Sequence, residues 1–477
     1  MKVRTRYAPS PTGFMHIGNL RTAIFEYLLA KKYNGDFILR IEDTDQEREV
    51  EGAIDFIYKT LDLCGFKIDE GPNNEKEYGP YIQSKRKDIY KEYALKLVEM
   101  GKAYYCFCSE EELTKMREKA EMRKKPFVYD GRCSRLSKEK IAENIKNNVP
   151  YVIRQKMPKE GVTIVEDLIY GKVKIDNSIL DDQILLKSDG FPTYNFANVI
   201  DDHLMEITHV IRGKEYLDQT AKYNLLYDAF GWEKPTYIHV AMVLGEDGNK
   251  LSKRNGDASF MDLYNEGYLP EAIVNYLSLL GWSPETNQEV FSMDELIANF
   301  NEERISKSSS QYDVKKLKWF NHQYINKMDD DKYLEWIKKY FTINCEGKSE
   351  EWINHLLSIY KSHLDYGNEI NELVKGFFDK EFKIEEEAKD FMKSDEIIPT
   401  VVKTFKEEIE NTNEWTVEAL SQVINNVKEK AGVKGKMLFM PIRIAASGIM
   451  HGPELADTLY LIGKEEILNR LEKWKKE

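Results

Sequence analysis

Cysteine is scarce. There are five in 477 residues, three of them clustered, which excludes a disulfide framework as the source of stability. No apolar run reaches the roughly 20 residues that span a bilayer, and Met1-Lys2-Val3-Arg4 leads straight into a strand pattern. The expectation is therefore a cytoplasmic protein without signal peptide or membrane partner. Internal repeats and low-complexity tracts are missing as well. Positive charge is not in excess: the net charge of −13 rules out a globally basic nucleic-acid binder. Any RNA contact must then use local clusters such as Lys315-Lys316-Leu317-Lys318, which serve equally well to solvate a helix. The length predicts two to four domains with ample core.

What is present is concentrated at the start. Val3, Thr5 and Tyr7 alternate with Arg4 and Arg6, which predicts a short strand with two distinct faces. Pro9-Ser10-Pro11-Thr12-Gly13 forces a turn, and Leu20, Ile24, Tyr27 and Leu28 follow at helical spacing until Asn34-Gly35 stops the helix. Phe37 to Ile41 reads as a second strand ending in Glu42-Asp43-Thr44-Asp45. Strand, helix and strand in this span form a βαβ unit with parallel strands, and such sheets bind ligands beyond their carboxyl ends. Arg6, His16, Gly18 and the Glu42–Asp45 cluster are predicted to share that edge, with His16 donating to a phosphate oxygen and Gly18 leaving room for a base or ribose. The usual glycine cradles, GxxxxGK[ST] and GxGxxG, do not occur there.

The segments Arg6-Tyr7-Ala8-Pro9-Ser10-Pro11-Thr12-Gly13, His16-Ile17-Gly18-Asn19 and Arg40-Ile41-Glu42-Asp43-Thr44-Asp45 closely resemble bacterial-type glutamyl-tRNA synthetases. His-Ile-Gly is similar to the first signature of class I aminoacyl-tRNA synthetases, with Asn19 standing where the general signature has a second histidine. Far downstream, Lys250-Leu251-Ser252-Lys253-Arg254 resembles the second signature.

The resemblance covers the whole chain and implies an α/β fold. It predicts a Rossmann-type catalytic domain in two halves, 1–103 and 183–254, around an α/β connective insertion, 104–182. A helical stem-contact domain (255–325) and a helical anticodon-binding domain (326–477) would follow. Glutamine-specific relatives carry a β-barrel anticodon region, and a truncated relative that glutamylates an anticodon base lacks that half altogether. The helical carboxyl half argues against both, and the two intact signatures argue against a non-catalytic tRNA-binding paralogue.

The implied activity joins L-glutamate to tRNA(Glu) through ATP, with tRNA(Gln) left open, Mg2+ on the phosphates, and a monomeric protein. By resemblance, Arg6, Ala8, Ser10, Glu42, Tyr194, Asn198 and Arg212 would hold glutamate, the two arginines on its carboxylates and Glu42 on its ammonium. His16, Gly18, Lys250, Ser252 and Lys253 would hold ATP, with His16 and Lys253 the catalytic pair. A guanidinium suits a carboxylate because it offers two parallel donors and stays charged. Cys106-x-Cys108 with Cys133 further on has the spacing of a zinc clip. Family members place a fourth ligand where Arg135 stands here; a Tyr-x-x-x-Cys variant would recruit Tyr129. The alternative is three buried free thiols.

Elsewhere, Ile54, Ile57, Tyr58 and Leu61, then Ile89, Tyr93, Leu97 and Met100, are predicted core faces of two helices, and Tyr237 to Leu244 one buried strand.

Overall fold

A computed structural model describes residues 2–13, 15–48, 50–124, 127–249, 251, 259–379 and 381–474. The chain forms two compact units, Met1–Asp262 with Ile273–Asp313, and Leu263–Ala272 with Val314–Glu477. Residues 263–313, within the stretch expected as one helical stem-contact block, are shared between them.

In the first unit, β1 (Arg4–Tyr7) pairs in parallel with β2 (Asp36–Leu39), and the crossover is the helix Ile17–Lys32. That helix ends as the sequence predicts: Asn34 takes a left-handed φ of 50°, and the Gly35 N–H closes onto the Ala30 carbonyl at 2.7 Å. The expected two-faced β1 is not found, because all four of its residues are buried. Helices and loops cover both faces, as parallel sheets require, and the arginines are neutralised inside. Arg4, for instance, donates to Asp36 at 3.0 Å and to both oxygens of Glu70.

The insertion contributes β3 (Ala103–Cys106), β4 (Val152–Gln155), and a hairpin of β5 (Val162–Asp167) and β6 (Gly171–Asp176). With β7 (Ile184–Leu186), β3 and β4 make an antiparallel sheet. Next, β8 (His209–Gly213) and β9 (Thr236–Val240) run parallel, and β5 adds to β9 at the Asp167–Tyr237 register. The Thr208 N–H donates to the Arg4 carbonyl at 3.0 Å, setting β8 beside β1. The parallel order is thus β2-β1-β8-β9, a Rossmann-type half-sheet whose carboxyl ends open on one side.

Two sequence expectations shift. The predicted strand Tyr237–Leu244 breaks at Ala241-Met242, where the guanidinium of Arg21 takes the Ala241 carbonyl; Val243–Leu244 pairs instead with Ser310–Gln311. On the helix Lys87–Glu99 the core face is Tyr90, Ala94 and Leu97, whereas Met100 is exposed. The Tyr90 hydroxyl donates to Asp201 at 2.7 Å, so a buried aromatic with a polar tip joins Ile89 and Tyr93, which pack half-buried against the same core. On the preceding helix, Ile57 and Leu61 are buried as expected.

The second unit has no strand among its described residues. Its carboxyl-terminal core is built from stripes such as Val401, Phe405 and Ile409 against Leu420, Val427 and Ile442. None of its helices, nor any other among the described residues, is long and apolar enough to cross a membrane.

Candidate active site

A cavity of about 590 Å³ opens beyond the carboxyl ends of β1 and β8. Arg6, Ala8, Ser10, His16, Gly18, Glu42, Tyr194 and Arg212, eight of the predicted ligand-binding residues, line it. The turn that follows β1 is held over the next strand end, since the Glu42 N–H donates to the Pro9 carbonyl at 3.0 Å. Asn198 lies one helical turn beyond Tyr194; it is fully buried and is not among the lining residues. Lys250, Ser252 and Lys253 lie outside the described residues. Leu251, between them in sequence, is buried and lines the cavity. Of the predicted acidic cluster only Glu42 reaches the cavity. Asp43 accepts the Ser84 N–H, and Asp45 pairs with Arg48 at the surface.

His16 caps the helix that follows it. Its Nδ1 accepts the Gly18 N–H at 3.1 Å, so a neutral ring carries its proton on Nε2. A Cβ at position 18 would stand 3.3 Å from that Nδ1. Glycine there protects the imidazole's seat as well as leaving space.

The arginines at the cavity differ sharply. Arg6 donates through Nε and Nη2 to Asp202, at 3.0 and 3.4 Å, and through Nη1 to Glu26 at 3.2 Å. Arg40, behind it, donates to Asp202 at 2.7 Å and to Glu42 Oε1. Burial opposes ionisation of Asp202, but Arg6 and Arg40 outweigh it and hold its carboxyl below the usual range. Burial pushes Glu26 well above that range and Glu42 above it, although the same arginines pull both down. Arg212 is 7% exposed and has no carboxylate partner among the described residues. Its Nη2 donates to Thr220 Oγ1 at 3.2 Å, its Nε and Nη1 have no acceptor among the described residues, and its guanidinium faces the rings of Tyr223 (4.6 Å), Tyr216 and Tyr237.

Sequence reasoning missed several lining residues. Glu26 sits in the middle of an apolar helical pattern, and the pairing partner that would mark it, Arg6, is twenty residues away. Glu215 and Tyr216 lie three and four residues after Arg212, and Arg21 follows the first signature; each of these three also lines the cavity. Burial lowers Arg21 to about 10, and its donors go to the carbonyls of Ala241 and Leu280.

The three clustered cysteines converge. Their sulfurs lie within 4.8 Å of one another, with Cys108 and Cys133 at 3.6 Å. The Tyr129 hydroxyl stands 3.3 Å from both Cys106 and Cys108. Four ligands around zinc at about 2.3 Å place sulfurs about 3.8 Å apart, so this donor set fits a closed tetrahedron with Tyr129 as its oxygen ligand. A hydrogen bond from Cys133 lowers the Cys106 thiol against the opposing effect of burial, which favours the thiolate form that a cation would bind.

Residues 2–319 match the family profile described as tRNA synthetases class I (E and Q), catalytic domain, and residues 331–475 match an anticodon binding domain. A glutamate–tRNA ligase of Clostridium novyi (strain NT) is 50% identical over 480 residues, covering 98% of this chain and 97% of the relative. Among solved structures, a glutamate tRNA ligase of Elizabethkingia meningosepticum in complex with its amino acid superposes with TM-score 0.89 at 37% identity, covering 99% of each chain. The glutamate-tRNA synthetase of Elizabethkingia anophelis does so with TM-score 0.90 at 36% identity over all of both chains. The chain therefore belongs to the class I tRNA synthetases of the glutamate and glutamine (E and Q) group.

Proposed function

We propose that the chain is a glutamate–tRNA ligase that forms glutamyl-adenylate from L-glutamate and ATP, releases pyrophosphate, and passes the glutamyl group to the terminal ribose of tRNA(Glu). One observation carries the amino-acid assignment: Arg212 is a buried cation at the cavity with two donors unpaired and no anionic partner among the described residues. A buried charge of this kind calls for a carboxylate. Glutamate supplies one on its side chain; glutamine offers an NH2 group instead and leaves the charge uncompensated. Sites built this way reject the mismatched analogue by factors of about 10⁴.

The chemistry needs no protein base. The α-carboxylate of glutamate is already an anion and attacks the α-phosphorus in line, so the protein's work is alignment and charge stabilisation. His16 Nε2–H and Lys253 act on the triphosphate, Lys250 and Ser252 support them, and Mg2+ arrives with the phosphates. Glu42 faces the substrate ammonium, Arg6 the α-carboxylate, and Tyr194 and Asn198 supply neutral hydrogen bonds. The helical second unit, with Lys315, Lys316 and Lys318 on the helix Val314–Lys327, contacts tRNA.

ATP–pyrophosphate exchange with L-glutamate and tRNA(Glu) present tests the reading; exchange supported by L-glutamine instead would overturn it. Lys253→Ala should lower kcat far more than it raises the glutamate KM. Charging of purified tRNA(Gln) alongside tRNA(Glu) decides tRNA range. The Cys106, Cys108, Tyr129 and Cys133 set binds zinc as a structural clip. Protein purified without chelator should carry close to one zinc per chain, and Cys133→Ser should lose it and melt at lower temperature.

A further inference from the structure

Behind Arg212 runs a line of buried polar groups that the proposed chemistry does not use. Thr220 Oγ1, which accepts from Arg212 Nη2, is 3.2 Å from His239 Nε2. His239 Nδ1 is 2.7 Å from Asp167 Oδ2. Asp167 is fixed in turn, since its Oδ1 accepts the N–H groups of Ile169 and Tyr170 and its Oδ2 accepts the His239 N–H. Thr220 and His239 are fully buried, and Asp167 is 5% exposed. These residues come from three separate elements: Asp167 ends β5, His239 lies in β9, and Thr220 opens the helix Thr220–Phe230.

The protons along the line can be placed. Hydrogen bonds from His239 and from the Tyr170 N–H hold the Asp167 carboxyl below its usual range despite burial. Burial, together with the charge of Arg212, holds His239 below its usual range even though Asp167 favours the charged form. Neutral His239 therefore donates from Nδ1 to Asp167 and presents a bare Nε2. The single Thr220 proton goes to that Nε2 or to the Tyr216 carbonyl at 2.9 Å, and in both cases the oxygen turns a lone pair to Arg212. Without this acceptor the guanidinium would be located only by aromatic walls, which leave its four side-chain torsions poorly determined.

We infer that Asp167, His239 and Thr220 form a positioning line that aims Arg212 at the substrate's side-chain carboxylate and thereby sets selectivity for glutamate over glutamine. The inference rests on the reading of Arg212 as the receptor for that carboxylate. Misplacement of a reacting or clamping group by about 1 Å costs on the order of 100-fold, so losing the anchor should be felt in substrate binding even with Arg212 intact.

Thr220→Val keeps the shape and removes the acceptor; Thr220→Ser restores it. In ATP–pyrophosphate exchange with tRNA, Thr220→Val should raise the glutamate KM about tenfold or more, leave the ATP KM within about twofold, and narrow the preference over glutamine. Thr220→Ser should stay within about threefold of the parent. A folded Thr220→Val protein with an unchanged glutamate KM overturns the proposal, as does an equal rise in both KM values. If Thr220→Val does not fold, Asp167→Asn takes its place, with the same expected rise in glutamate KM and the same overturning result. Arg212→Ala run in parallel separates the two readings. An unchanged glutamate KM in that variant sinks the receptor assignment itself, whereas a large rise there beside an unaffected Thr220→Val sinks only the positioning line.

Discussion

Arg6 and Arg212 line the same cavity from neighbouring strands, and both are buried, yet their surroundings are opposite. Arg6 shares Asp202 with Arg40 and reaches Glu26 besides, so its charge is balanced before any ligand arrives. Arg212 has a threonine, three tyrosine rings and no carboxylate among the described residues. A balanced cluster stabilises the fold and holds a shape. An unbalanced cation is costly in the free protein and gains most when an anion of the right length enters. The contrast separates, within a single wall, an arginine whose charge is already balanced from one whose charge is not.

The largest effect expected to test that contrast is on stability. Asp202→Ala leaves two buried guanidiniums short of a partner and should cost about 3–5 kcal/mol in chemical denaturation. Arg212→Ala should unfold at nearly the parental denaturant concentration, because no ion pair is lost. A loss of stability in Arg212→Ala as large as in Asp202→Ala would erase the distinction. In kinetics the order reverses: Arg212→Ala should lose at least about 3 kcal/mol of transition-state stabilisation, roughly 150-fold in kcat/KM for glutamate.

A third test uses pH. Asp202 has a depressed folded-state pKa, so the stability it contributes is present above its unfolded value of about 3.9 and lost as pH falls through the folded one. Glu26 is raised, so its contribution is present below about 4.3 and lost as pH rises. Glu26→Gln removes the second effect alone. The stability of Glu26→Gln relative to the parent should therefore climb from pH 5 upward, by at most about 1.4 kcal/mol per pH unit, when denaturation is repeated across pH. A flat difference would mean that Glu26 is ionised in the folded protein without penalty. The smallest effect belongs to the ATP side. Gly18→Ala should raise the ATP KM by a few fold through pressure on the His16 ring, with the glutamate KM little changed.

The βαβ start was readable because its signals are local: two strand patterns, a proline-rich turn after the first, helical spacing between them, and Asn34-Gly35 at the stop. The residues expected around one ligand do gather at one cavity, Asn198 and the undescribed Lys250, Ser252 and Lys253 aside. What could not be read is pairing across long separations. Nothing near Glu26 or Asp202 in sequence announces that Arg6 lies between them, and the alternation in β1 misled because charged side chains with buried partners look like a solvent face. On the helix Lys87–Glu99 the sequence found Ile89, Tyr93 and Leu97 at the core but missed Tyr90, whose hydroxyl has a distant carboxylate to meet. The cysteine cluster could be read from spacing, and the Tyr-x-x-x-Cys pattern pointed to Tyr129, whose hydroxyl does stand 3.3 Å from Cys106 and Cys108.

Arg21 has a consequence of its own. It stands four residues after Ile17 on the helix opened by the first signature, and it grips the carbonyl of Ala241, nine residues before Lys250 where the second signature begins. One guanidinium thus works as a tie-rod between the helix that carries the first signature and the chain just beyond β9. Shortening that rod would loosen the cavity wall at Ala241 and Met242 without removing any group that touches the substrate.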